Sequence, residues 1–158
     1  IVYGFGGSMQ YKNFDFSVFF QGVAKTSLMM QNIHPFTSDQ TTLLDFIAKD
    51  YWTEENPNPN AEYPRLISNL DSHNNFMNST YWLRSAAFLR LKNVEIGYDF
   101  KKLLLSKVSE IQGLRLYFSG SNLLTWSQIK YFDPELRSTD GSAYPQMKTF
   151  VFGANITF

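Results

Sequence analysis

The fold class follows from one stretch of sequence, Thr149-Phe150-Val151-Phe152-Gly153-Ala154-Asn155-Ile156-Thr157-Phe158. Every second residue from Phe150 to Phe158 is apolar, and the residues between them are mostly polar or small. A β-strand sends successive side chains to opposite faces, so this period of two predicts a strand with one apolar face.

Four further segments alternate in the same way. We predict five antiparallel strands near residues 1–11, 14–24, 87–100, 113–124 and 147–158, paired in sequence order. Each is about ten residues long, the length of a tilted strand that crosses a bilayer. Such strands occur in transmembrane β-barrels, with lipid outside and water or a plug inside, and also in soluble β-sandwiches, where the apolar face forms the core.

The connections between these strands favour the barrel. Residues 11–13 form a tight turn and residues 101–112 a short link, whereas about 60 residues separate the second and third strands and about 25 the fourth and fifth. Transmembrane barrels have short periplasmic turns and long extracellular loops in this alternating order. A β-sandwich is not expected to alternate short and long connections in this way.

A barrel assigns each alternating residue to one side of its wall. A charge on the lipid face costs about 2–4 kcal/mol at the bilayer midplane, so charged residues should face inward. We expect Arg115 to pair with one of the inward carboxylates. The predicted outward residues are Phe16, Val18, Phe20, Ile96, Tyr98, Leu116, Phe118, Phe152 and Ile156. The predicted inward residues are Asp15, Glu95, Asp99, Arg115 and Asn155.

The long connection carries local signals of its own. Apolar residues between positions 41 and 51 predict a short helix, capped by Ser38 or Asp39. The alternation around Leu89 and Leu91 is out of phase with Val94, which predicts a bulge or a strand end above the bilayer.

The composition excludes several classes of function. Aromatic residues make up 17% of the 158 residues and charged residues 18%, and the net charge is zero, which argues against a nucleic-acid binder. With no cysteine, disulfides and thiolate metal sites are excluded. Apolar runs are too short for a spanning helix. The chain opens within a strand pattern, and we expect it to be part of a longer protein.

The second half resembles a known family. Phe88-Leu89-Arg90-Leu91-Lys92-Asn93-Val94 with Ile96-Gly97-Tyr98 is similar to the antepenultimate strand of the SusC/RagA-type TonB-dependent transporters. The penultimate strand and last loop of that family resemble Ser119-Gly120-Ser121-Asn122-Leu123-Leu124-Thr125-Trp126 and Phe132-Asp133-Pro134-Glu135. The stretch from Tyr144 to Phe158 resembles its final strand. Upstream, Tyr51-Trp52-Thr53-Glu54-Glu55-Asn56-Pro57 fits the same pattern.

This resemblance implies a barrel of about 22 strands with a plugged lumen, in the outer membrane of a Gram-negative bacterium. It implies uptake of oligosaccharides or peptides driven by the TonB system, together with a SusD-like surface lipoprotein. Residues 1–158 would be the C-terminal portion, the last five strands, with the plug domain and N-terminal strands absent. Neither enzymatic activity nor a cofactor is implied.

Two sets of candidate functional residues follow. Barrels of this class end on an aromatic residue that the assembly machinery reads, and here that signal would be Phe158 with Ile156 and Phe152. Cargo or the lipoprotein lid would meet aromatic residues near the last loop, although an aromatic girdle at the membrane interface explains Trp126 equally well. These candidates are Trp126, Tyr131, Phe132 and Tyr144.

The remaining polar residues give no catalytic or metal-binding pattern. The two histidines, His34 and His73, are isolated, so loop surface is the better interpretation. Asp133, Glu135 and Asp140 could bind calcium, but their spacing fits no EF-hand, which favours turn and solvation roles. Two alternatives to a transporter stay open: a soluble carbohydrate-binding β-sandwich, and a structural outer-membrane barrel without active transport.

Overall fold

The computed structural model describes residues 1–30, 43–66, 74–100, 111–137 and 143–158. These residues form two compact units, one of Ile1–Leu28 with Arg84–Phe158 and one of Met29–Leu83. The strands are β1 (Val2–Tyr11), β2 (Phe14–Val23), β3 (Ser27–Met29), β4 (Leu83–Ser85), β5 (Phe88–Asp99), β6 (Gly113–Ser127) and β7 (Thr149–Thr157).

The first unit is dominated by one antiparallel sheet of five long strands in the order β1-β2-β5-β6-β7. The five predicted strands and their pairing in sequence order are therefore confirmed. The main difference in extent is at β6, which continues to Ser127 because Thr125 and Trp126 pair with Arg90 and Leu89. The short strands β3 and β4 form a separate two-stranded sheet.

The register places the predicted outward and inward residues on opposite faces of the five-stranded sheet. Phe16, Ile96, Phe118 and Phe152 form one row across β2, β5, β6 and β7. The ring centroids of Phe118 and Phe152 are 5.0 Å apart, as side-by-side neighbours on adjacent strands. We call this side of the sheet the apolar face, and the opposite side, which carries Arg115, the polar face.

A β-bulge interrupts the register at Lys92. Phe19 pairs with Asn93, but the next residue, Phe20, pairs with Leu91, so Lys92 is the extra residue. The pairing of β5 with β6 shifts at the same point. Of the two outcomes that the change of phase predicted, a bulge or a strand end, the structure shows the bulge, and it keeps Leu91 on the apolar face beside Phe20.

No second sheet covers the apolar face in the part of the chain that the structure describes. Its side chains are exposed or half-buried: Phe152 is 81% exposed, Ile96 is 47% exposed, and Phe118 is half-buried. The buried apolar residues of the first unit lie elsewhere, at Leu28, Ala86 and Phe88. A soluble sandwich would bury the apolar face under another sheet, so this arrangement is not a sandwich.

The second unit has a small core of its own. Helix α1 (Asp45–Lys49) buries Ile47, and Tyr51 forms a parallel bridge with Tyr63. The helix is shorter than predicted because its chain is already extended at Leu44 and enters that bridge just after Asp50. The proposed caps Ser38 and Asp39 lie outside the described residues, as do His34 and His73.

No helix in the described part of the chain is long and apolar enough to cross a membrane.

Candidate functional site

A buried ionic cluster joins the N-terminal part of β5 to the connection between β6 and β7. The Arg90 side chain is only 3% exposed. Its Nη2 lies 2.5 Å from Oδ1 of Asp133, and its Nη1 lies 3.0 Å from Oε2 of Glu135 and 2.9 Å from Oε1 of Gln146. One guanidinium thus holds three side chains of a connection more than forty residues away in sequence.

Lys92 completes this cluster. Its Nζ lies 3.2 and 3.1 Å from the two carboxylate oxygens of Glu135 and 3.1 Å from Oε1 of Gln146. Arg90 and Lys92 are two residues apart on a strand, and their carboxylate partners are two residues apart in the loop. The four charges, two positive and two negative, cancel.

Asp133 also organises the loop locally. Its carboxylate accepts the backbone N–H groups of Glu135 at 3.0 Å and Gln146 at 3.1 Å. Burial favours the protonated acid, but the hydrogen bonds from Arg90 and from these two N–H groups outweigh it and hold the pKa of Asp133 below its ordinary value. Asp133 is therefore a carboxylate that ties both ends of the loop to the sheet.

A cavity of about 510 Å³ lies beside this cluster. Tyr131 and Phe132 contribute to its wall, with Tyr131 55% exposed. The other lining residues are Arg90, Asn122, Thr125, Ser127, Ile129, Lys130, Asp133, Pro134, Pro145, Gln146 and Lys148. Two of the four candidate cargo contacts, Tyr131 and Phe132, are thus brought to one cavity.

The other two candidates lie apart from the cavity. Trp126 belongs to the apolar face, where its ring centroid is 6.5 Å from that of Phe20. Tyr144 is 78% exposed, and its hydroxyl lies 3.8 Å from the sulfur of Met147. The chain-end residues Phe158, Ile156 and Phe152 are 77%, 50% and 81% exposed.

A second charged group occupies the polar face near the opposite end of the strands. Nε of Arg115 lies 3.0 Å from Oδ1 of Asp15, and its Nη2 lies 2.6 Å from Oε1 of Glu95. The predicted pairing of Arg115 is confirmed, and it involves two carboxylates. Gly97 leaves room beneath them, because a Cβ there would come within 2.5 Å of the side-chain ends of Arg115 and Asp15, which would then have to shift.

The calcium hypothesis receives no support from the described residues, which hold no group of three or more potential metal ligands. Asp133 and Glu135 are paired with Arg90 and Lys92, and Asp140 lies outside the described residues. Sequence reasoning missed the role of Arg90, Lys92 and Gln146. The matching spacing of two cations and two acids was the available signal.

Comparison with known proteins finds similarity to TonB-dependent receptors and to a solved peptide importer. No family model matches it. It is 30% identical along its whole length to a TonB-dependent receptor of Formosa agariphila, and 29% identical to the TonB-dependent receptor SusC of Bacteroides thetaiotaomicron. It covers only 17% and 15% of those proteins. The solved RagAB peptide importer in its closed-closed state superposes with a TM-score of 0.73 at 25% identity, covering 99% of this chain and 17% of that one.

The resemblance to the SusC/RagA type is confirmed. A second structure of the RagAB peptide transporter gives a TM-score of 0.70 over 98% of the chain. The predicted fold class, an antiparallel transmembrane β-barrel fragment with one short helix in a long loop, is confirmed as well. The chain is thus similar along its whole length to SusC/RagA-type proteins, and it spans about a sixth of the length of these relatives.

Proposed function

We propose that this segment belongs to an outer-membrane importer that is driven by the TonB system and takes up oligosaccharides or peptides with a SusD-like lipoprotein. One observation carries the proposal: a sheet whose apolar face is uncovered across five strands, while its polar face holds paired charges. Lipid suits the first face and a water-filled or plugged lumen the second. The whole-length similarity to TonB-dependent receptors supports the same conclusion.

We further propose that residues 1–158 are the C-terminal portion of a larger barrel, with the plug and the other strands contributed by the rest of the protein. In the described residues, β1 and β7 each pair with a neighbour on one side only. Unpaired backbone groups are not tolerated in lipid, so both edges need further strands. Relatives about six times as long have room to supply them.

The aromatic candidates have separate roles in this proposal. Tyr131 and Phe132, at the cavity wall, would contact cargo or the lipoprotein lid. Trp126, on the apolar face, would lie at the membrane interface, where aromatic residues form a girdle. Tyr144, on the exposed last loop, would meet cargo or lid from outside.

The orientation can be tested with single cysteines in the full-length protein, since this segment contains none of its own. Tyr144→Cys, on a long loop, should react with a membrane-impermeant maleimide on intact cells. Lys12→Cys, in the tight turn between β1 and β2, should react only after the outer membrane is permeabilised. Labelling of both sites on intact cells would contradict the proposed topology.

Active uptake separates this proposal from a structural barrel without transport. Accumulation of labelled oligosaccharides and peptides should require the full-length protein and should stop when TonB is deleted. Surface abundance of the protein should stay unchanged in that strain. Uptake that persists without TonB, or no uptake of either class of cargo, would overturn the proposed function.

A further inference from the structure

Two lysines at the cavity are left without an acidic partner. Lys130 and Lys148 both line it, and neither takes part in a salt bridge with any residue that the structure describes. Arg90 and Lys92 differ, because Asp133 and Glu135 neutralise them. Among the residues that the structure describes, the cavity wall and its cluster therefore carry two positive charges in excess.

The cavity is also large enough for a small ligand. Its volume of about 510 Å³ falls in the range of small-molecule sites, about 300–1,000 Å³. Tyr131 and Phe132 supply aromatic surface at its wall. The ionic cluster anchors the same loop on both sides through Asp133, which keeps the wall in place without a ligand.

Two lining residues leave a polar atom without a hydrogen bond in the described structure: Nε of Arg90 and Oδ1 of Asn122. Buried polar groups nearly always have a partner. The buried Nε–H of Arg90 is a donor that an acidic group would satisfy after a small shift, whereas Oδ1 of Asn122 is an acceptor that only a hydroxyl or N–H of the ligand would satisfy.

We propose that this cavity binds an acidic group of the cargo, a carboxylate or a sulfate, between Lys130 and Lys148 with Tyr131 and Phe132 alongside. This inference rests on the proposed function and narrows it to acidic cargo. A uronate-containing oligosaccharide and a peptide rich in Asp or Glu carry the same chemistry, and the experiment separates these two sources.

The test measures equilibrium binding to the purified full-length protein in detergent at low salt. The probes are tetragalacturonate and its methyl ester, and an acidic pentapeptide and its amide counterpart. The wild-type protein should prefer one acidic probe over its neutral form by about tenfold, and the preference should shrink at high salt. The double variant Lys130→Gln, Lys148→Gln should lose about tenfold in affinity for that probe, since each exposed ion pair contributes a few-fold.

Lys25→Gln is the matched control. It removes an equal charge from an exposed lysine between β2 and β3 that does not line the cavity, and it should change affinity less than twofold. Equal affinity for the acidic and neutral forms, no measurable binding of either, or full affinity in the double variant would each overturn the inference. TonB-dependent uptake of neutral cargo would in that case leave the proposed function standing.

Discussion

At the scale of single residues, the ion pairs of this chain differ in burial and therefore in energetic weight. The Arg90 and Asp133 side chains are 3% and 6% exposed, whereas those of Arg65 and Glu54 are 55% and 76% exposed. Removing one partner of a buried pair costs about 3–5 kcal/mol, because the other charge is left buried and unpaired. An exposed pair contributes about 0–1 kcal/mol.

Arg90→Gln should therefore free the loop between β6 and β7. We expect chymotrypsin to cleave at Tyr131 or Phe132 on the order of a hundredfold faster, since the open form becomes that much more populated. Arg65→Gln is the control and should leave cleavage in this loop unchanged. Equal cleavage in both variants would mean that Arg90 does not anchor the loop.

The same anchor should depend on pH through Asp133. Its folded pKa is below its ordinary value, so its contribution to stability is complete above that value and is lost as the pH falls through the lower folded pKa. Hydrogen exchange of residues 128–137, corrected for intrinsic rates, should stay constant from about pH 7 to about pH 4 and rise below that. Asp133→Asn should exchange fast at every pH; a protected loop in that variant would contradict the assignment.

Two neighbouring glycines should respond differently to alanine. A Cβ at Gly6 would come within 2.5 Å of the backbone oxygen of Val18, whereas a Cβ at Gly7 would meet nothing within 4 Å. Gly6→Ala should destabilise the barrel by about 1–3 kcal/mol through overpacking, and Gly7→Ala should be neutral. The folded fraction on semi-native gels measures both, and equal folded fractions would rule out a packing role for Gly6.

At the scale of elements, strand β6 shows how one segment serves two environments. Phe118 packs with Phe152 on the apolar face, while Ser119, the next residue, pairs in register with Glu95 on the polar face. Such alternation is expected when the two sides of the barrel wall face environments of different polarity.

Phe118→Lys and Ser119→Lys should therefore have unequal effects. The first puts a charge into lipid at a cost of about 2–4 kcal/mol, and the second puts it beside a carboxylate. We expect the amount of folded protein in the outer membrane to fall sharply for Phe118→Lys only. A larger loss with Ser119→Lys would reverse the assignment of the two faces.

At the scale of the whole molecule, the proposed importer needs a closed barrel before it can take up cargo. Strand β7 is at an edge of the described sheet, and Phe158 just beyond it is 77% exposed. We propose that this exposed aromatic side chain is part of the signal that the barrel-assembly machinery recognises.

Phe158→Ala should lower the surface abundance of the full-length protein several-fold, while uptake per folded molecule stays nearly constant. The physical reason is distance, because Phe158 follows the end of β7 that lies away from the last loop. Surface labelling and cargo uptake, measured on the same cells, give both quantities. Normal abundance with uptake lost would assign Phe158 a direct role in transport.

The sequence by itself determined the five strands, their order, a break in the alternation near Leu91 and the two faces. These features depend on the local alternation of apolar and polar residues, which can be recognised from adjacent positions in the sequence. The pairing of Arg115 was predictable for the same reason, since an inward cation among inward acids has few other partners. The sequence did not specify which inward carboxylates would bind Arg115, and the structure shows both Asp15 and Glu95.

Only the tertiary structure decided what depends on contacts between distant segments. The bond from Arg90 to Asp133 joins residues 43 apart in sequence, and the cavity beside it exists because the loop folds back onto β5 and β6. Likewise, a Cβ at Gly4 or Gly6 would lie 3.1 Å from the ring of Phe19 on the neighbouring strand. No local sequence pattern predicts these contacts, because they depend on how distant segments pack together in the folded chain and not on which residues are adjacent in sequence.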